Sequence, residues 1–238
     1  MCYKSYIKGC DFLKIVVLDS YALNPGDLSW EWLEKLGDCE IHHRTPQDKI
    51  LERCEGADII LTNKTPLTKE TLSKLNNLKY IALLSTGYNI VDWEYAKEIG
   101  VPVSNIPAYS TNAVAQHTFA FILNHYNKVA EYAKTVDDGD WVNYKLFSYF
   151  GIPTAELTGK TMGIIGYGDI GRKVAQLARA FDMNVVTYTR SPEKVIDGTN
   201  VCSLEQLLIC SDVVSLHCPL TEGTKDMVNA ERLNLMKP

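Results

Sequence analysis

Two doubly wound α/β domains in tandem, each built on a parallel sheet, are what this sequence predicts. Short apolar runs alternate with helix-like segments of about ten residues, the pattern that sandwiches a parallel sheet between helices. A strand-like run through Met162, Ile164 and Ile165 leads into Gly166, Gly168 and Gly171, then into an apolar helix stripe at Val174, Leu177 and Ala178. A long helical stretch after Pro107 connects the two sets of alternating elements. The expected domains are residues 1–104 and 105–238.

Residues 1–11 form a mixed polar leader without the apolar core of a signal peptide. The first expected strand is 14–18, ended by Asp19-Ser20. Residues 28–36 read as a helix and 39–42 as the second strand. Thr45 before Pro46 reads as an N-cap with proline at the first helical position. Residues 57–61, 80–84 and 101–103 are further strands, and 68–75 a helix capped by Thr68. From Ser110 to about Ala133 a single amphipathic helix is expected, opening on the capping residues Ser110-Thr111, with Val114, Phe119, Ile122 and Val129 apolar. The segment 137–157 reads as an irregular loop that packs Trp141, Tyr144, Phe147, Tyr149 and Phe150 beneath itself. In the second domain, 184–188 and 212–216 are strands, and 204–208 and 230–235 helices.

At 238 residues, 46% hydrophobic and 22% charged, the chain has material for two real cores. A net charge of −5 argues against a nucleic-acid or anionic-membrane surface. No apolar run approaches the roughly 20 residues of a membrane span. Seven cysteines without a C-x-x-C pair read as free thiols in a reducing cytoplasm, with no metal site expected.

The segment Gly166-Tyr-Gly-Asp-Ile-Gly171, set between strand and helix, predicts a bound dinucleotide. One glycine serves the tight turn, one the approach of backbone to a pyrophosphate, and one the close packing of helix on strand. An acidic residue about 20 residues on normally binds the adenosine ribose. Here that position reads Thr189-Arg190-Ser191, with no carboxylate. Arg190 is placed to pair with a 2′-phosphate, which admits NADP beside NAD; stacking on adenine or solvation are the alternatives. In the first domain, residues 61–66 and 84–89 leave the carboxyl ends of strands, where such sheets put ligands. Gly87 lets the backbone curl so that its amide and that of Thr86 face an anion, with Lys64 a neighbouring cation. Ordinary turns with a solvated lysine are the other reading. His117 and His125 read as ordinary helix-surface or core-edge histidines, and His217-Cys-Pro-Leu-Thr221 ends a strand on the cofactor side.

Together Thr62-Asn-Lys-Thr-Pro-Leu67, Ser85-Thr-Gly-Tyr-Asn89, Asn105-Ile-Pro-Ala-Tyr-Ser-Thr111, Val114-Ala-Gln-His-Thr118, the glycine segment and His217-Cys-Pro-Leu-Thr221 carry a specific likeness. Over residues 14–238 the chain resembles the D-isomer-specific 2-hydroxyacid dehydrogenases of the glycerate dehydrogenase and hydroxypyruvate reductase type. The resemblance implies a flavodoxin-like substrate domain followed by an incomplete Rossmann NAD(P)-binding domain. It implies an oxidoreductase that interconverts a small 2-keto acid and a D-2-hydroxy acid with NAD or NADP, in a cleft between domains. By the same resemblance the amides of Thr86 and Gly87 hold the substrate carboxylate, and Val114 lies near the nicotinamide. Asp169 and Ile170 meet the pyrophosphate, while Cys218, Pro219 and Thr224 line the cofactor channel. A homodimer is implied for the intact protein.

In that family the catalytic arginine, glutamate and histidine follow the segment that matches Met236-Lys-Pro238. No catalytic residue is therefore expected before Pro238, and the chain as given reads as an inactive fragment whose last strand leaves an unpaired edge. The alternative is a non-catalytic dinucleotide-binding or sensing module.

Overall fold

The computed structural model describes residues 13–238; the leader, with Cys2 and Cys10, lies outside them. The chain divides into two compact units, one reaching to Tyr109 and the other running from Ser110 to Pro238.

The first unit holds strands β1 (Lys14–Val17), β2 (Asp38–Ile41), β3 (Ile59–Thr62), β4 (Tyr80–Leu83) and β5 (Val103–Ser104). All pair in parallel, in the order β2-β1-β3-β4-β5. The helices between them are α1 (Glu31–Glu34), α2 (Ile50–Cys54), α3 (Lys69–Leu72) and α4 (Trp93–Glu98). The sheet is apolar on both faces, as a covered parallel sheet must be. Val16, Ile60 and Ile81 pack with Leu72 and Ala96 on one side, and Ile15, Val17 and Leu61 with Leu33 on the other.

The second unit opens with α5 (Thr111–Asn127), α6 (Val129–Asp137) and α7 (Asp140–Asn143). Then come β6 (Thr161–Ile165), α8 (Asp169–Ala180), β7 (Asn184–Tyr188), β8 (Asn200–Val201), α9 (Leu204–Cys210), β9 (Val213–Leu216) and α10 (Ala230–Leu233). The sheet is parallel, in the order β8-β7-β6-β9. On one face Ala115, Phe119 and Ile122 of α5 join Val174 and Ala178 of α8 over Met162 and Ile164. On the other, Leu204, Leu207 and Leu208 of α9 close over Ile165. Among the described residues β9 pairs with β6 alone.

One clasp starts both sheets. Asp58, just before β3, accepts the Lys14 N–H at 2.8 Å and donates its own N–H to the Lys14 carbonyl at 2.9 Å. Asp212, just before β9, does the same with Thr161 at 2.7 and 2.9 Å. Each carboxylate also receives an ammonium, Lys79 at 2.8 Å on Asp58 and Lys237 at 2.9 Å on Asp212. The bond from Lys79 and then that from the Lys14 amide hold the Asp58 carboxyl below its ordinary pKa. For Asp212 the Thr161 amide leads and Lys237 follows.

Several elements differ from expectation. The helix expected over 28–36 shrinks to α1, because the Asn24 side chain accepts the Gly26 and Leu28 N–H groups and holds the chain in a loop. Thr45 caps nothing: its hydroxyl donates to the Leu18 carbonyl at 2.6 Å, and Pro46 is the cap of a 3-10 turn at Gln47–Lys49. Thr68 does cap α3, accepting from the Thr71 N–H, but α3 ends at Leu72. The long helix is broken at Lys128, whose φ of 53° is left-handed and separates α5 from α6. Ser110 precedes α5 without a side-chain cap bond. The aromatic segment gathers only in part. Tyr149 meets Tyr132, Trp141 and Tyr144, whereas Phe147 and Phe150 stand 97% and 73% exposed. A capping box missed in the sequence starts α9, with Ser203 and Gln206 exchanging bonds at 3.2 Å.

The clasp yields a pH prediction. Asp212→Asn keeps an acceptor for Thr161 but loses the charge, so at pH 7 it should destabilise by about 1 kcal/mol. The folded pKa of Asp212 is depressed, so the charge contributes above the unfolded value of about 3.9 and is lost as pH falls through the folded value. The urea-unfolding gap between wild type and variant should therefore narrow as the pH falls below the unfolded value and close beneath the folded one; a constant gap across the series would refute this role.

Candidate functional site

β6 ends on Ile165 and the chain turns at Gly166 with φ of 94°, a conformation that only glycine adopts freely. The turn is tied to both neighbouring strands. The Gly166 N–H donates to the Tyr188 carbonyl at 2.8 Å, and the His217 N–H donates to the Ile165 carbonyl at 2.7 Å. A Cβ on Gly166 would meet the His217–Cys218 peptide at 2.7 Å, and one on Gly171 would fall on the Gly166 carbonyl oxygen. Gly168 differs. It caps α8 in extended conformation, and a Cβ there would touch nothing within 4 Å. Its missing side chain instead leaves free approach to the N-terminus of the 12-residue α8, where unpaired N–H groups and the helix dipole favour an anion.

A cavity of about 370 Å³ opens over this turn. The ends of three strands build it: Gly166, Gly168, Asp169 and Arg172 after β6, Thr189, Arg190, Ser191 and Lys194 after β7, and His217, Cys218, Pro219 and Thr224 after β9. Asp169 pairs with Arg172 at 2.7 Å, so that charge is locally compensated. Arg190 and Lys194 are exposed and have no ion pair among the described residues, which leaves the cavity net positive. The Thr224 hydroxyl accepts the Thr221 N–H at 2.8 Å and donates to the Pro219 carbonyl at 2.7 Å, closing the loop that carries Pro219. His217 is half-buried with Nε2 at 2.8 Å from the Ser215 hydroxyl, and burial lowers its pKa, so it is neutral at pH 7. Ile170 and Gly171 follow in the first turn of α8. Val114, in the first turn of α5, is partly exposed and does not line this cavity.

Two residues that sequence reasoning missed hold the loops in place. Tyr167, between the first two glycines, is buried, and its hydroxyl donates to Asp197 at 2.7 Å. In the first unit, buried Asp19 accepts the N–H groups of Asn63, Lys64 and Thr65 at 2.8, 2.6 and 2.7 Å, and the hydroxyls of Thr62 and Thr65. That carboxylate shapes the loop bearing Lys64. The only signal for it was a carboxylate standing directly after an apolar strand.

Lys64 is exposed and lines a cavity of about 660 Å³ with Tyr21, His43 and Arg44, over the ends of β1, β2 and β3. Thr86 and Gly87 follow β4 and do not line that cavity. Their loop is held by Asn105 Nδ2 donating to the Thr86 carbonyl at 2.8 Å and Ser85 donating to the Gly87 carbonyl at 2.8 Å. The N–H groups of Thr86 and Gly87 make no hydrogen bond among the described residues, and both residues are exposed. Gly87 itself avoids the left-handed region, and a Cβ there would meet only Asn89 at 3.5 Å. No left-handed turn therefore calls for a glycine at this position.

Counted from its own first strand, the sheet of the second unit runs 3-2-1-4 with a glycine turn between strand 1 and its helix, the arrangement of a dinucleotide-binding domain. The first unit's order, 2-1-3-4-5, is flavodoxin-like. Residues 119–238 match the family described as D-isomer specific 2-hydroxyacid dehydrogenase, NAD binding domain. The chain is 42% identical over 230 residues to a hydroxypyruvate reductase of Blautia hydrogenotrophica, covering 94% of this chain and 71% of that one. A glycerate dehydrogenase of Methylorubrum extorquens is 41% identical over 193 residues, 81% of this chain and 60% of that one. Among solved structures, an acyclic imino acid reductase in complex with NADPH and D-Arg superposes with a TM-score of 0.81 at 31% identity, over 94% of this chain and 71% of that one. D-lactate dehydrogenase from Aquifex aeolicus, complexed with NAD and lactic acid, gives 0.77 at 34% identity, over 93% and 66%. The chain belongs to the D-isomer specific 2-hydroxyacid dehydrogenase family, which are NAD-dependent oxidoreductases.

The glycines separate in their expected effects. Gly166→Ala forces a strained φ and a clash with the β9 exit, and should destabilise the second unit by about 1–3 kcal/mol. Gly168→Ala should leave thermal unfolding unchanged within about 0.5 kcal/mol. Equal losses in the two melting curves would contradict this division of roles.

Proposed function

We propose that these residues form the cofactor- and substrate-binding part of an enzyme that reduces a small 2-keto acid to the D-2-hydroxy acid with NADPH or NADH, hydroxypyruvate and glyoxylate being the leading substrates. The names of its relatives, hydroxypyruvate reductase, glycerate dehydrogenase and glyoxylate reductase, support that substrate class. The observation that carries the reading is the bare N-terminus of α8 beneath a net positive cavity, with Gly168 leaving room for a pyrophosphate. We assign Gly166, Gly168, Asp169, Ile170 and Gly171 to the pyrophosphate end and Cys218, Pro219 and Thr224 to the channel beside it. Val114 is assigned to the nicotinamide end by family resemblance. Bound there, the dinucleotide supplies the hydride.

The substrate half of this reading lies in the first unit. The unpartnered amides of Thr86 and Gly87 fit a carboxylate, and Lys64, after the adjacent strand β3, is assigned as the substrate-side cation. Neutral His217 brings no charge to the cofactor cavity, which leaves Arg190 and Lys194 to meet the adenosine end. With no carboxylate at the end of β7, a 2′-phosphate meets a guanidinium without repulsion, and NADPH is favoured. The outward Val142, Leu146, Phe147 and Phe150 support a homodimer through the second unit. Five free thiols among the described residues, and no helix there long and apolar enough to cross a membrane, accord with a cytoplasmic protein.

Two variants test the site by quenching of protein fluorescence on titration with each dinucleotide. Gly168→Val should raise both dissociation constants at least about tenfold with little change in melting temperature. Arg190→Ala should weaken NADPH about tenfold or more while NADH changes less than about twofold. Tighter NADH than NADPH in the wild type would overturn the preference, and unchanged affinity in Gly168→Val would overturn the site.

A further inference from the structure

The glycine loop and the β7–β8 connection, residues 189–199, both line the dinucleotide cavity, and one buried side chain joins them. Tyr167 is 5% exposed. Its hydroxyl donates to Asp197 Oδ2 at 2.7 Å and lies 2.6 Å from the Thr199 hydroxyl. Thr199 in turn donates its hydroxyl to Asp197 Oδ1 at 2.7 Å and its N–H to the same oxygen at 3.2 Å. Two hydroxyl protons thus converge on one ionised carboxylate, an arrangement stronger than neutral pairs. Arg179, near the end of α8, completes it by donating to Asp197 at 3.3 Å and to the Thr199 hydroxyl. Partial burial raises the Asp197 pKa, but the bonds from Tyr167 and Thr199 outweigh it, and the carboxyl is held well below its ordinary value.

The connection has little else to fix it. Its remaining hydrogen bonds are local, Ser191 N–H to the Thr189 hydroxyl, Lys194 N–H to the Ser191 carbonyl and Val195 N–H to the Pro192 carbonyl. Val195 packs partly against the core, while Arg190 and Lys194 are exposed. Among the described residues, Tyr167 and Arg179 supply the side-chain hydrogen bonds that reach residues 189–199 from outside. A guanidinium meets a phosphate well only when its backbone is held, since a loose segment must be ordered on binding.

The geometry points to Tyr167 as a positioning residue for cofactor selectivity: through Asp197 and Thr199 it fixes the connection that carries Arg190 and Lys194, and so sets the affinity for a 2′-phosphorylated dinucleotide. This rests on the reading of Arg190 as the phosphate partner. The pyrophosphate end, seated on the loop itself, depends on this bond less.

The test is a double-mutant cycle on the full chain, read as the ratio of NADPH to NADH dissociation constants by fluorescence titration. Tyr167→Phe keeps the ring in its core and removes the hydroxyl. It is expected to raise the NADPH constant about five- to tenfold and the NADH constant less than about twofold, with a melting temperature close to wild type. Asp197→Asn, an isosteric change, is expected to shift the ratio in the same direction. In an Arg190→Ala background the effect of Tyr167→Phe on the ratio should shrink below about twofold, because the principal phosphate partner it positions is gone. Equal losses for both dinucleotides, or an unchanged ratio in Tyr167→Phe while Arg190→Ala shifts it, would overturn the positioning role alone. An unchanged ratio in Arg190→Ala would overturn the Arg190 reading, and this inference with it.

Discussion

The cavity in the second unit depends on the crowded meeting of three main-chain segments at Gly166. The amide of Gly166 bonds to the end of β7, the exit of β9 bonds back to Ile165, and the His217–Cys218 peptide occupies the space where any side chain would stand. A backbone so close-packed has few alternative arrangements. Every loop that lines the cavity leaves from this junction, so their mutual placement follows from one left-handed turn. The lone side chain that must be absent for a different reason is that of Gly168, whose surroundings are open.

Around that junction the charges are sorted rather than abundant. The whole chain carries a net charge of −5, yet the cavity holds Arg190 and Lys194 without counter-ions among the described residues. Carboxylates nearby are already engaged, Asp169 with Arg172 and Asp197 with the Tyr167 and Thr199 hydroxyls. The first unit uses a buried carboxylate in the same constructive way, with Asp19 gathering three consecutive amides to shape the Lys64 loop. Both sheets also carry the aspartate clasp at the start of their first strand, at Asp58 and Asp212. These carboxylates act as building elements, aligning backbone rather than performing chemistry.

The fold was legible because parallel strands buried on both faces write themselves as apolar runs, as at Lys14–Val17 and Thr161–Ile165. The glycine motif was legible because its constraints are local: a turn, a close contact and an approach within six residues. What escaped notice depends on partners far along the chain. Tyr167 meets Asp197 and Thr199 across some thirty residues, and Asp19 meets residues 62–65 across more than forty. The break at Lys128 had no glycine or proline to announce it. The shortened α1 followed from an asparagine loop that competes with the helix through side-chain bonds to the backbone. Lys64 and the Thr86–Gly87 loop were read as one site from their strand-end positions, whereas the structure sets Lys64 in a cavity that the other two do not line.

Hydrogen–deuterium exchange on the full chain, with and without saturating NADPH, addresses the central claim most directly. The account predicts slowed exchange at residues 166–171, 189–194 and 217–219, where the three strand ends surround the turn at Gly166. Unchanged exchange across 166–171 at saturation, with protection confined to the first unit, would contradict it.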